Sequence, residues 1–297
     1  MMIPYMIEYG VPRKTPADLK EKLLTTDFSD TEIYFHVGVE RTGTKYLQKS
    51  IFPSYKKLHF INKDRYPETK EIILKKEHKR YLVSMELNLN SHFEVEVNDF
   101  LSAFPQARII MVMRPLSGWL VSHYKRIVKN GFNIRFDELW NQNGESVFDP
   151  EEIKYRPKIE FLESKIQKPP LYLIHGDLRK NPLEFLKRLA DYVGEEFDES
   201  TVSLKPVHTS YNDRQLKALR WVMKYVNISR SKPYSSDLRN RLYRLRVDAI
   251  RYFVMYLAKI LPDSFFSNQP LVSKKEKKEV ADYYQEDWQA VLYFLEK

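Results

Sequence analysis

The sequence predicts an α/β protein: three α/β/α layers around a central parallel sheet, with a helical cap toward the C-terminal end. Three observations carry that prediction. Short apolar runs alternate with amphipathic stretches from residue 33 to residue 194, the rhythm of repeated strand–helix crossovers. The run ARIIMVM at 107–113 is almost continuously apolar, as a strand covered on both faces must be. From residue 214 onward helical periodicity dominates. The 297 residues are 43% hydrophobic, enough for one large core or two small ones. One domain over 1–297 is the simplest division, with a core at about 31–195 and a helical region at about 212–297.

Taken in order, residues 17–24 form a short helical candidate after three prolines. Residues 33–37, rich in β-branched and aromatic side chains, read as a buried strand that Gly38 ends. A helix starts at Thr44 and stops before Pro53. Residues 56–66 suggest a short strand and turn, and 69–79 a charged helix. In 81–89 the apolar Tyr81, Val83, Met85, Leu87 and Leu89 alternate with Ser84, Glu86 and Asn88, a strand with one polar face. Helices follow at 93–104 and 115–129. The second has Leu116, Leu120, Tyr124 and Ile127 as its apolar stripe, Ser122 on the opposite side, and Gly131 at its end. A polar loop at 141–150 leads to a helix at 153–166 and a strand at 171–174. Asn181 is an N-cap for a helix with Pro182 in its first turn and Gly194 as its stop. Farther on, Leu242, Leu245, Ala249, Phe253, Leu257 and Ile260 form one stripe with arginines around it. A last helix spans 274–294.

Composition narrows the function. Cysteine is absent, which excludes disulfides, thiolate metal sites and cysteine nucleophiles. No apolar stretch is long enough to span a bilayer, and residues 1–12 lack the basic start and apolar core of a signal peptide. A cytoplasmic location is the expectation. The net charge of +9 points to an anionic partner. Positive charge is concentrated at 230–260, yet no nucleic-acid motif accompanies it, so no nucleic acid is expected. For the arginine-rich helix two readings stand: peripheral contact with a membrane or acidic acceptor, or a solvated outer face.

The chemistry concentrates at 32–48, EIYFHVGVERTGTKYLQ. A strand, a glycine-containing loop and a helix N-terminus together form an anion site, because unpaired backbone N–H groups and the positive end of the helix dipole converge there. Arg41 and Lys45 bracket the loop, and Thr42 and Thr44 supply hydroxyls. The GxxxxGK[ST] pattern of nucleotide triphosphatases is missing, since Gly43 precedes Thr44 rather than Lys.

The stretch resembles the 5′-phosphosulfate loop of sulfotransferases that use 3′-phosphoadenosine 5′-phosphosulfate (PAPS), in particular bacterial members with a P-loop-like fold. Arg41 stands where the family usually carries Lys, and Lys45 where it carries Thr or Arg. A second patch, Arg114-Pro115-Leu116-Ser117-Gly118-Trp119-Leu120-Val121-Ser122-His123-Tyr124, is similar to the family's 3′-phosphate segment, with Arg114, Ser122 and Tyr124 in register and Pro-Leu replacing Asn-Pro. The physics agrees, because a phosphate dianion suits a forked guanidinium and a hydroxyl. The stretch 173–194 resembles the family's late strand and helix, with Gly176 in place of the usual Glu, and is assigned to packing. The C-terminal tail around Tyr283-Tyr284 is also similar.

The resemblance implies sulfonate transfer from PAPS to a hydroxyl or amine of a small-molecule, glycan or lipid acceptor, with a carbohydrate or glycolipid favoured and no metal required. It implies cofactor contacts from Arg41, Thr42, Gly43, Thr44, Lys45, Arg114 and Ser122. Glu86 is the first candidate for the base that deprotonates the acceptor, with Arg41 and Lys45 stabilising developing charge. His36 and His123 are the alternative bases. His208 would approach the nucleotide, and Glu40 would turn away from the anion toward a Lys or Arg. A P-loop kinase and a non-catalytic polyanion-binding module are the rival readings.

Overall fold

The computed structural model describes residues 15–90, 92–199, 211–231, 233–266 and 268–296. Its strands are β1 (Glu32–Val39), β2 (His59–Ile61), β3 (Arg80–Leu87), β4 (Arg108–Met113) and β5 (Leu171–Ile174). They form one sheet in the order β2–β3–β1–β4–β5, and every pairing is parallel. The sheet is the predicted α/β architecture. After β3 the chain crosses to the other side of β1 to lay down β4. The C-terminal end of β1 is therefore the point where strand order reverses, the usual place for a ligand in such sheets.

The described residues fall into two compact units. The sheet unit lies within 11–115, 152–207 and 285–297. It carries α1 (Ala17–Thr25), α2 (Thr44–Tyr46, continued by a π-helical turn at Leu47–Ile51), α3 (Thr69–Leu74) and α4 (His92–Ala103). The helical unit lies within 116–151 and 208–284 and begins with α5 (Leu116–Lys129) and α6 (Phe136–Leu139). The chain then returns to the sheet unit for α7 (Tyr155–Lys165), α8 (Asp177–Lys180) and α9 (Pro182–Val193). The helical unit resumes with α10 (Asp213–Val222), α11 (Asp237–Ile260) and α12 (Lys274–Tyr283), and α13 (Gln285–Glu296) closes the sheet unit. Packing thus groups the helices differently from chain order. The Asp287 carboxylate of α13 accepts the Tyr155 and Arg156 N–H groups at 3.1 and 2.8 Å, capping α7.

Alternation along the strands gives the sheet two apolar faces. Tyr34, Leu82, Ile110, Val112 and Leu173 on one face meet Leu47, Ile51 and Phe52 and the Phe185, Leu186, Leu189 and Val193 stripe of α9. On the other face Phe35 stacks on Phe100 with centroids 4.0 Å apart. Helices cover both faces, so the unit has three layers. Gly194 closes α9 at φ 65°, and the Arg80 guanidinium donates to the carbonyls of Val193 and Gly194.

Several boundaries depart from the periodicity. The helix predicted at 274–294 is two, broken at Tyr284. The short helices α6 and α8 leave no periodic signal in the sequence, because four residues carry no helical period. Asn181 does precede Pro182 at the start of α9, but its side chain makes no capping hydrogen bond. The largest surprise is α11. An apolar stripe ordinarily faces a core, yet Leu242, Leu245, Phe253, Leu257 and Ile260 face solvent, and Asn240, Val247, Arg251, Met255 and Ala258 are buried instead. Hydrogen bonding anchors that inner face. Arg251 Nε donates to the Lys129 carbonyl at 2.8 Å, its Nη1 pairs with Asp248 at 2.7 Å, and Gln215 Nε2 donates to the Met255 carbonyl at 3.1 Å.

Candidate anion site at the end of the sheet

The loop after β1 is shaped by close approach. A Cβ on Gly38 would lie 2.5 Å from Thr44 Cγ2 and 2.7 Å from the Met85 carbonyl oxygen, so only glycine lets β1 run between them. Arg41 sits at φ 65° and Gly43 at φ 93°. A left-handed arginine is uncommon, and two such residues two positions apart fold the loop back over the start of α2. Thr42 and Thr44 are buried, and their hydroxyls turn inward: both donate to the Val39 carbonyl, at 2.6 and 3.0 Å. The two hydroxyls expected to face an anion therefore brace the loop. Glu40 N–H pairs with the Leu87 carbonyl, while Tyr46 and Leu47 N–H pair with the Gly43 carbonyl. Between them lie the first N–H groups of α2, the ones a helix cannot satisfy internally. Glu40 is buried and Lys45 exposed.

Arg114 leaves the end of β4 and reaches this loop: its Nη1 donates to the Arg41 carbonyl at 3.3 Å. Its own N–H donates to the Tyr155 hydroxyl at 3.3 Å. Neighbouring β5 delivers His175 to the same edge, since Met113 pairs with Ile174 and His175 N–H extends the ladder to the Met113 carbonyl at 2.8 Å. His175 and Leu178 come within 3.5 and 2.9 Å of where a Gly43 side chain would begin. Burial, then Arg114, Arg179 and Arg41, push the His175 pKa down to about 4. The Arg114 guanidinium is itself lowered by burial and by Arg41 and Arg179. Three guanidinium groups and a neutral imidazole thus gather on one edge. The segment 173–194, assigned to packing on sequence grounds, supplies two of the four. His175 directly after a short core strand, with Arg179 one helical turn on, was the signal available.

Glu86 lies on β3 opposite Gly38 of β1, one strand from the loop. It is buried and its carboxylate accepts from Lys63 Nζ at 3.0 Å. On the same face, His36 Nδ1 lies 2.7 Å from Ser84 Oγ, which also accepts from Gln48 Nε2 at 2.9 Å. His36 is fully buried, and burial lowers its pKa to about 3. Burial thus favours its neutral form. Ser122 and His123 lie on α5 in the helical unit, where His123 is buried against Trp119 and Phe148. His208 lies outside the described residues.

Such an edge can hold a polyanion, with backbone N–H groups, guanidinium forks and a protonatable imidazole as donors. Among the described residues no group of three or more His, Cys, Asp or Glu could hold a metal ion, and no helix is long and apolar enough to cross a membrane. Two surface cavities of about 460 and 280 Å³ lie in the helical unit and include none of these residues.

The chain matches no family model and no curated protein. Among solved structures it is similar to a sulfotransferase from Alicyclobacillus acidocaldarius, at 12% identity and a TM-score of 0.48 over 65% of this chain and 92% of that one. It is also similar to mouse sulfotransferase SULT7A1 complexed with PAP, at 15% identity and a TM-score of 0.44 over 94% and 93% of the two chains. A third is a retinol dehydratase in a complex with retinol and PAP, at 12% identity and a TM-score of 0.40 over 92% and 86%.

Proposed function

We propose that the protein is a PAPS-dependent sulfotransferase that moves a sulfonate to a hydroxyl or amine of an acceptor. The observation that carries this reading is the reach of Arg114 to the Arg41 carbonyl, which puts the arginine read as phosphate-binding on the same sheet edge as the loop after β1. PAPS offers a 3′-phosphate and a 5′-phosphosulfate, two anionic groups on one nucleoside. The loop around Arg41 to Lys45 suits the phosphosulfate end, and Arg114 suits the 3′-phosphate. The charge fit is good, since every charge acting on His175 is cationic and an incoming polyanion relieves their mutual repulsion.

When bound, PAPS supplies an activated sulfonate. The chain's part is to bind, orient and move one proton. Glu86 takes the acceptor proton as the acceptor oxygen or nitrogen bonds to sulfur. The bond from sulfur to the phosphate oxygen breaks, and its electron pair stays on the nucleotide, where Arg41, Lys45 and the loop N–H groups stabilise it. No metal is needed for these steps. The acceptor we propose is a hydroxyl of a carbohydrate or glycolipid, a choice that the aromatic-rich composition, with 20 tyrosines and 17 phenylalanines, supports.

The test is a thermal-shift comparison of 3′-phosphoadenosine 5′-phosphate, ADP and ATP with Mg²⁺, followed by transfer of labelled sulfonate to an acceptor panel. Stabilisation by the bisphosphate well beyond ADP supports the reading. Preference for ATP with Mg²⁺ indicates a kinase, and response to none of the three indicates a polyanion-binding module.

A further inference from the structure

The outer face of α11 is built to lie on a surface. At 100° per residue, Leu238, Leu242, Leu245, Ala249, Tyr252, Phe253, Tyr256 and Ile260 fall within an arc of about 100°. Six of them, Leu238, Leu242, Leu245, Phe253, Tyr256 and Ile260, are between 59 and 82% exposed. This face is opposite the anchored one, where Val247, Arg251 and Ala258 are buried. The helix has 24 residues, and the stripe from Leu238 to Ile260 runs about 33 Å along it. A continuous apolar strip of that length is far more than a soluble surface ordinarily shows.

Charge decides what covers it. Exposed Arg241 and Lys259 border the stripe on one side, and exposed Arg239 and Arg246 on the other. The acids of α11 are Asp237, in its first turn, and Asp248, which is held by Arg230 at 2.6 Å and Arg251 at 2.7 Å. An apolar strip between two cationic borders is the pattern of a helix lying in the plane of an anionic bilayer: apolar side chains enter the acyl boundary and the borders meet phosphate headgroups. A second copy is disfavoured, because symmetric pairing would set cationic borders against cationic borders.

We propose that this face of α11 docks the protein peripherally on anionic lipid bilayers. The docking is independent of the loop chemistry, so its failure leaves the transferase reading standing.

The experiment is sedimentation of the full chain with phosphatidylcholine vesicles, with or without about one third phosphatidylserine. Each cation near an anionic surface strengthens binding about fivefold. The expected result is binding at least about tenfold tighter to the serine-containing vesicles, weakening with salt. Leu242→Ser/Phe253→Ser, at exposed positions where circular dichroism should show the fold unchanged, should cost about tenfold or more. Arg239→Gln/Arg241→Gln/Arg246→Gln should remove the preference for phosphatidylserine. Absence of vesicle binding, equal binding to neutral vesicles, or unchanged binding by either variant overturns the proposal. A concentration-dependent dimer that the Leu242/Phe253 variant abolishes, without vesicle binding by the parent, assigns the face to a second copy instead.

Discussion

Arg114 donates from Nη1 to the carbonyl oxygen of Arg41 at 3.3 Å, tying the residue after β4 to the loop after β1. The bond does two things. It holds one side of a left-handed, strained loop, and it fixes a guanidinium fork where a second anionic group would sit. Arg114→Ala should therefore weaken 3′-phosphoadenosine 5′-phosphate by about 30-fold, roughly 2 kcal/mol, and ADP far less. Arg114→Lys should recover only part of the loss, because an ammonium lacks the fork. Isothermal calorimetry with both nucleotides reads the difference, and equal losses would count against a 3′-phosphate role.

The two glycines of the loop should fail in different ways. Gly38→Ala drives a methyl into Thr44 and the β3 backbone and should cost about 2 kcal/mol or more of stability. Gly43→Ala meets Leu178 at 2.9 Å and takes a left-handed φ, a cost of about 1–2 kcal/mol. Its main effect should be on the anion site. Denaturant midpoints beside bisphosphate affinity separate the two, and the prediction fails if Gly43→Ala binds nucleotide normally.

Glu86→Gln should lower turnover by about 10²- to 10⁴-fold while nucleotide affinity stays within a factor of about two. Gln keeps the shape beside Lys63 and loses the proton acceptor. A fall in melting temperature with turnover intact would make Glu86 a structural ion-pair partner only.

His175 should link anion binding to pH. Free, its pKa is lowered to about 4 by burial and the three arginines, so it is neutral at pH 7. A bound polyanion opposes those arginines and raises it. The complex then takes up a proton, and affinity rises as pH falls from 7 toward 5. His175→Gln should lose this component, measured as the difference between the two proteins' affinity–pH curves. Parallel curves would sink it.

His36 should make the fold acid-sensitive. Its pKa is 6.5 when exposed and about 3 in the folded protein, where burial disfavours charge. The depressed value means the unfolded chain binds the extra proton below pH 6.5. Stability is complete above 6.5 and falls by about 1.4 kcal/mol per unit as pH drops toward 3. His36→Asn should flatten the slope of unfolding free energy against pH in that window. An unchanged slope would show that other groups carry it.

Residues 33–48 were legible from sequence because strand, glycine loop and helix start are local patterns that a few neighbouring residues determine. The same holds for β4, β5 and the Gly194 stop. Tertiary structure decided the rest. His175 and Arg179 join Arg41 and Arg114 only because β5 pairs with β4 and extends its ladder by one residue. The inward turn of Thr42 and Thr44 depends on one carbonyl, Val39, left facing them by the loop's left-handed bends. Periodicity located the stripe on α11, but not which way it faces. That was settled by Arg251, Asn240 and Gln215, whose buried hydrogen bonds secure the polar side of the helix against its own unit. A periodic pattern records that two faces differ; only the partners available to each face determine which one is buried.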